Sequence, residues 1–166
     1  MVKNIKKNIL LCSAGRRVEL IEIWKKEAKR NLGNDALIIA CDVNPNLSAA
    51  CYFADDYFQI CKVTEKDYIN KLLKECISRN IAIILPTIDT ELEKLSRNRK
   101  LFSEKGINII ISDLEIIKIC RDKKITSDFF KKLGIDTPVI YQKNNLRFPF
   151  IIKPFNGSSS KGFKVI

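Results

Sequence analysis

Histidine is absent from all 166 residues of the chain. That removes the usual general base near neutral pH, together with Ser-His and Cys-His nucleophile pairs. Chemistry on this chain must therefore run on lysine, carboxylates, a metal or backbone dipoles. Mixed Cys/His zinc sites go as well. The six cysteines (Cys12, Cys41, Cys51, Cys61, Cys76, Cys120) contain no C-x-x-C pair from which an all-sulfur site is normally built. Several of these thiols sit in apolar segments, where cysteine behaves as a small hydrophobe, so a reduced, cytoplasmic protein is expected. No apolar run approaches the ~20 residues that cross a membrane, so no membrane partner is expected. The basic residues before Ile9-Leu10-Leu11 precede an apolar stretch too short for a signal peptide, and it reads as a first strand.

What is abundant is positive charge: 30 Lys and Arg against 19 Asp and Glu give +11. Nucleic-acid affinity needs basic residues gathered on one surface. Here they are dispersed (Lys25, Lys26, Lys29 and Arg30; Lys71 and Lys74; Lys131 and Lys132) without interleaved aromatics. They read as solvated helix faces, and no nucleic-acid partner is expected. With 46% hydrophobic residues the chain can bury one good core, or one domain and part of another.

Apolar runs and helical periodicity alternate. Strand-like runs cover Asn8 to Cys12, Ala36 to Cys41, Asp56 to Ile60, Ile81 to Leu85 and Ile107 to Ile111. Helical patterns cover Arg17 to Leu32, Glu65 to Arg79 with Thr64 as N-cap, and Thr90 to Lys105, which stops at Gly106. Near-continuous apolar strands imply an α/β fold: an open, mainly parallel, Rossmann-like sheet with helices on both faces. From Ser112 the texture changes. A short helix to Cys120, a second from Asp122 to Leu133, a strand over Val139 to Tyr141, a polar turn to Arg147 and a strand over Phe150 to Lys153 are expected. The boundary falls near residue 115.

In such sheets ligands sit at the carboxyl ends of the strands. The first of these loops, Ser13-Ala-Gly15-Arg16-Arg17, opens a helix, where N–H groups and two arginines suit an anion. Gly15 stands alone there, so a G-x-G-x-x-G dinucleotide turn is not present. Asp42 ends the second strand, where it either binds a ribose or a substrate, or caps the following turn. Asp89 and Glu91 follow Pro86. They either meet a substrate or cap and charge the next helix.

The final segment, Pro149-Phe-Ile-Ile-Lys153-Pro154-Phe-Asn156-Gly157-Ser158-Ser159-Ser160-Lys161-Gly162-Phe163, reads as strand, small-residue cationic loop and returning strand. Backbone amides in such a loop converge on phosphate oxygens and lysines supply the counter-charge. Set behind the α/β domain, Arg121-Asp122-Lys123 and Leu133-Gly-Ile-Asp-Thr-Pro138, this segment resembles the ATP-grasp superfamily. The likeness is to proteins similar to the carbamoyl-phosphate synthase large subunit. The Ser13-Ala-Gly-Arg-Arg-Val18 and Pro86-Thr-Ile-Asp-Thr-Glu-Leu92 segments look like that branch too.

The resemblance implies a pre-ATP-grasp domain over residues 1–115 and the start of an α+β ATP-grasp fold over 116–166. It implies that Lys123 and Lys153 contact the nucleotide and that Asn156 to Gly162 forms the lid over its phosphates. The implied chemistry is ATP- and Mg²⁺-dependent ligation of a small-molecule substrate, in which a carboxylate becomes an acylphosphate that an amine then attacks. In the family the adenine strip and the magnesium ligands lie downstream of the lid. The segment is therefore expected to be a truncated form without ATP turnover of its own, completed by a longer chain, or a homo-oligomer. A non-catalytic nucleotide- or anion-binding module and a Rossmann-type oxidoreductase are the competing readings. No catalytic residue and no metal ligand is assigned.

Overall fold

The computed structural model describes residues 7–157 and 160–166. The chain divides into two compact units, the first ending at Ser112 and the second running from Asp113 to Ile166.

The first unit contains β1 (Asn8–Cys12), α1 (Val18–Leu32), β2 (Ile38–Asp42), a 3-10 turn (Pro45–Leu47), α2 (Ala49–Phe53) and β3 (Asp56–Gln59). It continues with α3 (Tyr68–Ser78), β4 (Ile81–Pro86), α4 (Asp89–Arg97), α5 (Arg99–Ser103) and β5 (Asn108–Ile109). The strands form one sheet in the order β3-β2-β1-β4-β5, and every pairing is parallel. Successive side chains of a strand face opposite ways, and β1 uses both faces. Leu10 and Cys12 join Ile39, Cys41, Ile84, Tyr68, Leu72, Leu95 and Phe102 on one side. Ile9 and Leu11 join Ile38, Ala40, Ile21, Ala28 and Ala50 on the other. Helices thus cover both faces, as the unbroken apolar strands predict. Each large aliphatic side chain buried this way contributes about 1.5–3 kcal/mol. The strand order reverses between β1 and β4, so the loops after those two strands flank the switch point of the sheet.

Several details differ from the sequence reading. Helix α3 begins at Tyr68, and its N-cap is Asp67 in place of Thr64. Residues before it are spent in a turn: the Glu65 carboxylate accepts the Lys62 N–H at 3.2 Å, and Lys94 Nζ donates to the Val63 carbonyl at 2.7 Å. The single helix expected from Thr90 to Lys105 is two, broken at Asn98, whose amide side chain donates back to the Lys94 carbonyl at 2.8 Å. The 3-10 turn and α2 were not anticipated; the Ser48 side chain caps α2 by accepting the Cys51 N–H.

The second unit holds α6 (Leu114–Arg121), α7 (Lys123–Lys132), β6 (Ile151–Ile152) and β7 (Lys164–Val165). Asp122 caps α7, its carboxylate accepting the N–H groups of Lys124 and Ile125 at 2.8 and 3.0 Å. β6 and β7 pair antiparallel, and a reciprocal pair of bonds between Phe150 and Ile166 (3.1 and 2.9 Å) extends the ladder. The apolar run at the end of the chain therefore pairs. The strand expected over Val139 to Tyr141 is not formed. Val139 is 68% exposed and the segment has no ladder partner among the described residues.

Candidate functional site

At the carboxyl edge of the first unit's sheet, the loop Ser13–Arg17 turns sharply, with Ser13 and Gly15 both at positive φ (51° and 53°). Three of its amides are spent within the protein. The Ala14 N–H donates to the Cys41 carbonyl at 3.1 Å, the Gly15 N–H to Asp42 Oδ2 at 3.0 Å and the Arg17 N–H to the Ala14 carbonyl at 3.1 Å. Arg17 also turns inward. Its guanidinium donates to the carbonyls of Thr87 (2.8 Å), Ser13 (3.3 Å) and Ala14 (3.4 Å). Arg16, by contrast, is exposed. The amides of Ala14, Gly15 and Arg17 and the Arg17 guanidinium are thus engaged by Asp42 and backbone carbonyls. Asp42 itself receives Gly15 on one oxygen and the Asn44 N–H on the other at 3.2 Å, so both its capping role and its place at the edge are real.

Glu91 is fully buried and acts as a hub. Oε1 accepts the N–H groups of Thr87 (2.9 Å) and Ile88 (3.3 Å), the second being the helix-capping contact. Oε2 accepts the hydroxyls of Ser13 (3.0 Å) and Tyr68 (3.2 Å). Thr87 Oγ1 in turn donates to the carbonyl of Cys12 or Ser13 (2.8 and 2.7 Å). Burial pushes the Glu91 carboxyl above its ordinary value, against the pull of the four donors. Burial likewise pushes the Tyr68 phenol up, and a thiol–thiol hydrogen bond with Cys41 raises Cys12, so both stay protonated. Ser13, Tyr68 and Thr87 were invisible as partners of Glu91. Ser13 and Glu91 lie 78 residues apart, and no local spacing signals that contact. Asp89 is exposed at the same edge.

In the second unit a cleft of about 340 Å³ is lined by Lys123, Lys153, Pro154, Gly157, Ser160, Lys161 and Phe163. Lys153 and Lys161 are exposed, whereas Lys123 is half-buried. Lys123 Nζ donates to the carbonyls of Phe155 (3.1 Å) and Gly157 (2.8 Å). Arg121, part of the motif but given no site role from sequence, donates to the Asn156 carbonyl at 3.2 Å. Two glycines seat the loop on Pro154. A Cβ at Gly157 would stand 3.1 Å from that ring's Cβ, and one at Gly162 (φ +76°) would stand 2.9 Å from its Cγ. Asn156 and Ser160 lie on the loop, and Ser160 adopts positive φ (56°). The expected phosphate contacts of Ser158 and Ser159 lie outside the described residues. Among the described residues no three Cys, Asp or Glu side chains stand together as a metal site.

Residues 9–110, more than half of the chain, with β2 to β5 and all but the first residue of β1, match the family model of the PylC-like N-terminal domain. The chain belongs to this family. The PylC-like domain is the pre-domain of an ATP-grasp protein, as the resemblance of the motifs implies. Over 134 residues the chain is 33% identical to 3-methyl-D-ornithine–L-lysine ligase of Methanosarcina acetivorans, covering 80% of this chain and 33% of that protein. Over 101 residues it is 27% identical to a carbamoyl-phosphate synthase of Methanobrevibacter smithii, covering 54% of this chain and 27% of that one. The biotin carboxylase domain of Hydrogenobacter thermophilus 2-oxoglutarate carboxylase, solved as a dimer with MgADP, ADP and bicarbonate, superposes with a TM-score of 0.62. That match has 20% identity, over 96% of this chain and 37% of the other, and it shows the shared fold. The PylC-like chain thus spans about a third of the length of the curated relatives it matches.

Proposed function

We propose that the PylC-like chain supplies the N-terminal domain and the opening part of the nucleotide-binding fold of an ATP-dependent carbon–nitrogen ligase. In that reaction a carboxylate oxygen attacks the γ-phosphorus of ATP, giving an acylphosphate and ADP. An amine then attacks the acyl carbon, loses a proton and expels inorganic phosphate, leaving an amide. The observation that carries this reading is the cleft at the β6–β7 loop, where the Lys153 and Lys161 ammonium groups stand beside a loop seated by Gly157 and Gly162. Lysines of this kind stabilise charge on a transferring phosphoryl group, which requires no histidine. At the sheet edge of the first unit, Arg16, Asp42 and Asp89 are the groups for a charged small-molecule substrate, with Gly15, Arg17 and Glu91 holding the loops that carry them. Six free thiols support a reducing, cytoplasmic setting.

Magnesium accompanies ATP in this chemistry, but the described residues provide no ligand set for it. No step is therefore routed through a metal held by this chain. Among the described residues no helix is long and apolar enough to cross a membrane, and neither a membrane nor nucleic acid enters the reading.

Titration of the chain with ATP, ADP and NADH, each with Mg²⁺ and with a chelator, tests the proposal. ATP and ADP are expected to bind more tightly than NADH, and ATP affinity is expected to survive the chelator to within about tenfold. Tighter binding of NADH overturns the ligase reading in favour of a dinucleotide enzyme.

A further inference from the structure

Between Asp42 and Asp55 the chain carries no charged residue, in a protein whose net charge is +11. This stretch forms the 3-10 turn and α2, next to β3 at the edge of the first unit's sheet. Its surface is apolar and open. Leu47 is 81% and Tyr52 85% exposed, and Val43, Phe53 and Tyr57 are exposed as well. A cleft of about 460 Å³ is lined by residues that include Pro45, Leu47, Tyr52 and Tyr57. The backbone under it is pinned. Ser48, which is buried, donates to the Gly15 carbonyl at 2.9 Å and accepts the Cys51 N–H at 3.3 Å. The Ala50 N–H donates to the same Gly15 carbonyl at 3.0 Å. The Tyr52 ring stands edge-on to that of Phe53, with 5.8 Å between centroids. At Tyr57 the sheet edge is closed to a further strand, because its N–H donates to the Asp56 carboxylate at 2.7 Å.

We propose that this patch is an isologous interface between two copies of the chain, packed side chain against side chain, with each copy's Tyr52 seated in the other's cleft. Charge selects the occupant. Two copies of a +11 chain repel, and a two-fold axis sets each patch against itself, so a neutral patch is where they meet without like charges face to face. The nearest charges are already paired within each copy, Lys25 with Asp55 at 3.0 Å and Arg79 with Asp56. The area agrees. Large aromatic side chains bury about 150–250 Å² each, so the five exposed apolar residues offer on the order of 600 Å² per copy. An interface of standard size takes about 800 Å² from each partner, which puts this one at the weak, reversible end, with a Kd of about 1–100 µM. A surface whose backbone is fixed before contact loses little freedom on association. The inference is independent of the nucleotide reading.

Sedimentation velocity of the whole chain from about 1 to 300 µM tests the proposal, and a monomer–dimer equilibrium is expected. Raising NaCl from about 0.05 to 0.5 M should tighten it about two- to fivefold, because screening relieves the repulsion between cationic copies. Leu47→Lys puts two unpaired charges into the contact and should weaken it about a hundredfold or more. Tyr52→Ser removes the inserted ring without adding charge and should weaken it about tenfold. Both side chains are so exposed that each variant should melt within about 2 °C of the wild type. Ile23→Lys adds the same charge at an exposed position of α1 and should leave the affinity within about twofold. A chain that stays monomeric over the whole range overturns the proposal and leaves the patch to a different partner. A dimer that survives Leu47→Lys and Tyr52→Ser overturns it too, since its contact lies on another surface. Weakening by salt, or equal weakening by Ile23→Lys and Leu47→Lys, shows that charge and not the apolar patch governs association, and contradicts it as well.

Discussion

The Ser13 hydroxyl donates to the buried Glu91 carboxylate at 3.0 Å, joining the loops that flank the switch point of the sheet. The other oxygen of the same carboxylate holds the Thr87 and Ile88 amides. One side chain therefore fixes both walls of the edge at which this fold places its ligands. Replacing it with leucine leaves four donors without an acceptor. We expect a loss of at least about 2 kcal/mol, read as a lower urea midpoint at unchanged slope.

The same residue sets a pH dependence. Burial raises the folded-state pKa of Glu91 above the ordinary 4.5, so in the window just above that value the folded state binds more protons than the unfolded one. The stability linked to this group is complete below the unfolded pKa and is lost as pH rises through the folded pKa. Glu91→Gln has no proton to lose. The stability of the variant relative to wild type should rise with pH across that window and then level off. A relative stability that is flat from pH 4 to 8 would show that burial does not dominate.

The adjacent arginines should separate cleanly. Arg17 satisfies the Thr87 carbonyl from within, and Arg17→Ala should cost about 1–3 kcal/mol. Arg16 is exposed, and Arg16→Ala should stay within about 0.5 kcal/mol. Chemical denaturation of the two variants side by side checks this. Equal costs would mean that the inward role of Arg17 has been misassigned.

Gly162→Ala combines a left-handed φ of +76° with a Cβ placed 2.9 Å from Pro154 Cγ. About 1–3 kcal/mol of local strain is expected. Because the strain lies in the loop, it should appear as lost amide protection in the Ile151–Val165 pairing, with the first unit's melting unchanged. A variant with full protection there would show that the loop relaxes around the methyl group.

How legible these features were depended on how local their causes are. β1, β2 and β4 could be read because strands buried on both faces are continuous apolar runs, and Leu10 and Leu11 serve opposite faces. The Asp122 cap could be read because its acceptor lies two and three residues from its donors. The short helix over Ala49–Phe53 was hidden, since five residues carry too little periodicity and its cap is a single serine. Val139 to Tyr141 has strand composition but no neighbour to pair with among the described residues. Lys123 and Lys153, which line the cleft of the second unit, were singled out by motif. The engagement of Lys123 with carbonyls 32 and 34 residues away, and the inward turn of Arg17, depend on folding and left no local trace.

The cationic loop after β6 is proposed to bind the phosphates of ATP. Calorimetric titration of ATP and AMP into the wild-type chain and Lys153→Ala tests it most directly. ATP should bind more tightly than AMP, and removal of one charge-assisted contact should weaken ATP about 10- to 100-fold while leaving AMP nearly unchanged. Equal affinities for ATP and AMP, or an ATP affinity indifferent to the loss of Lys153, would contradict the account.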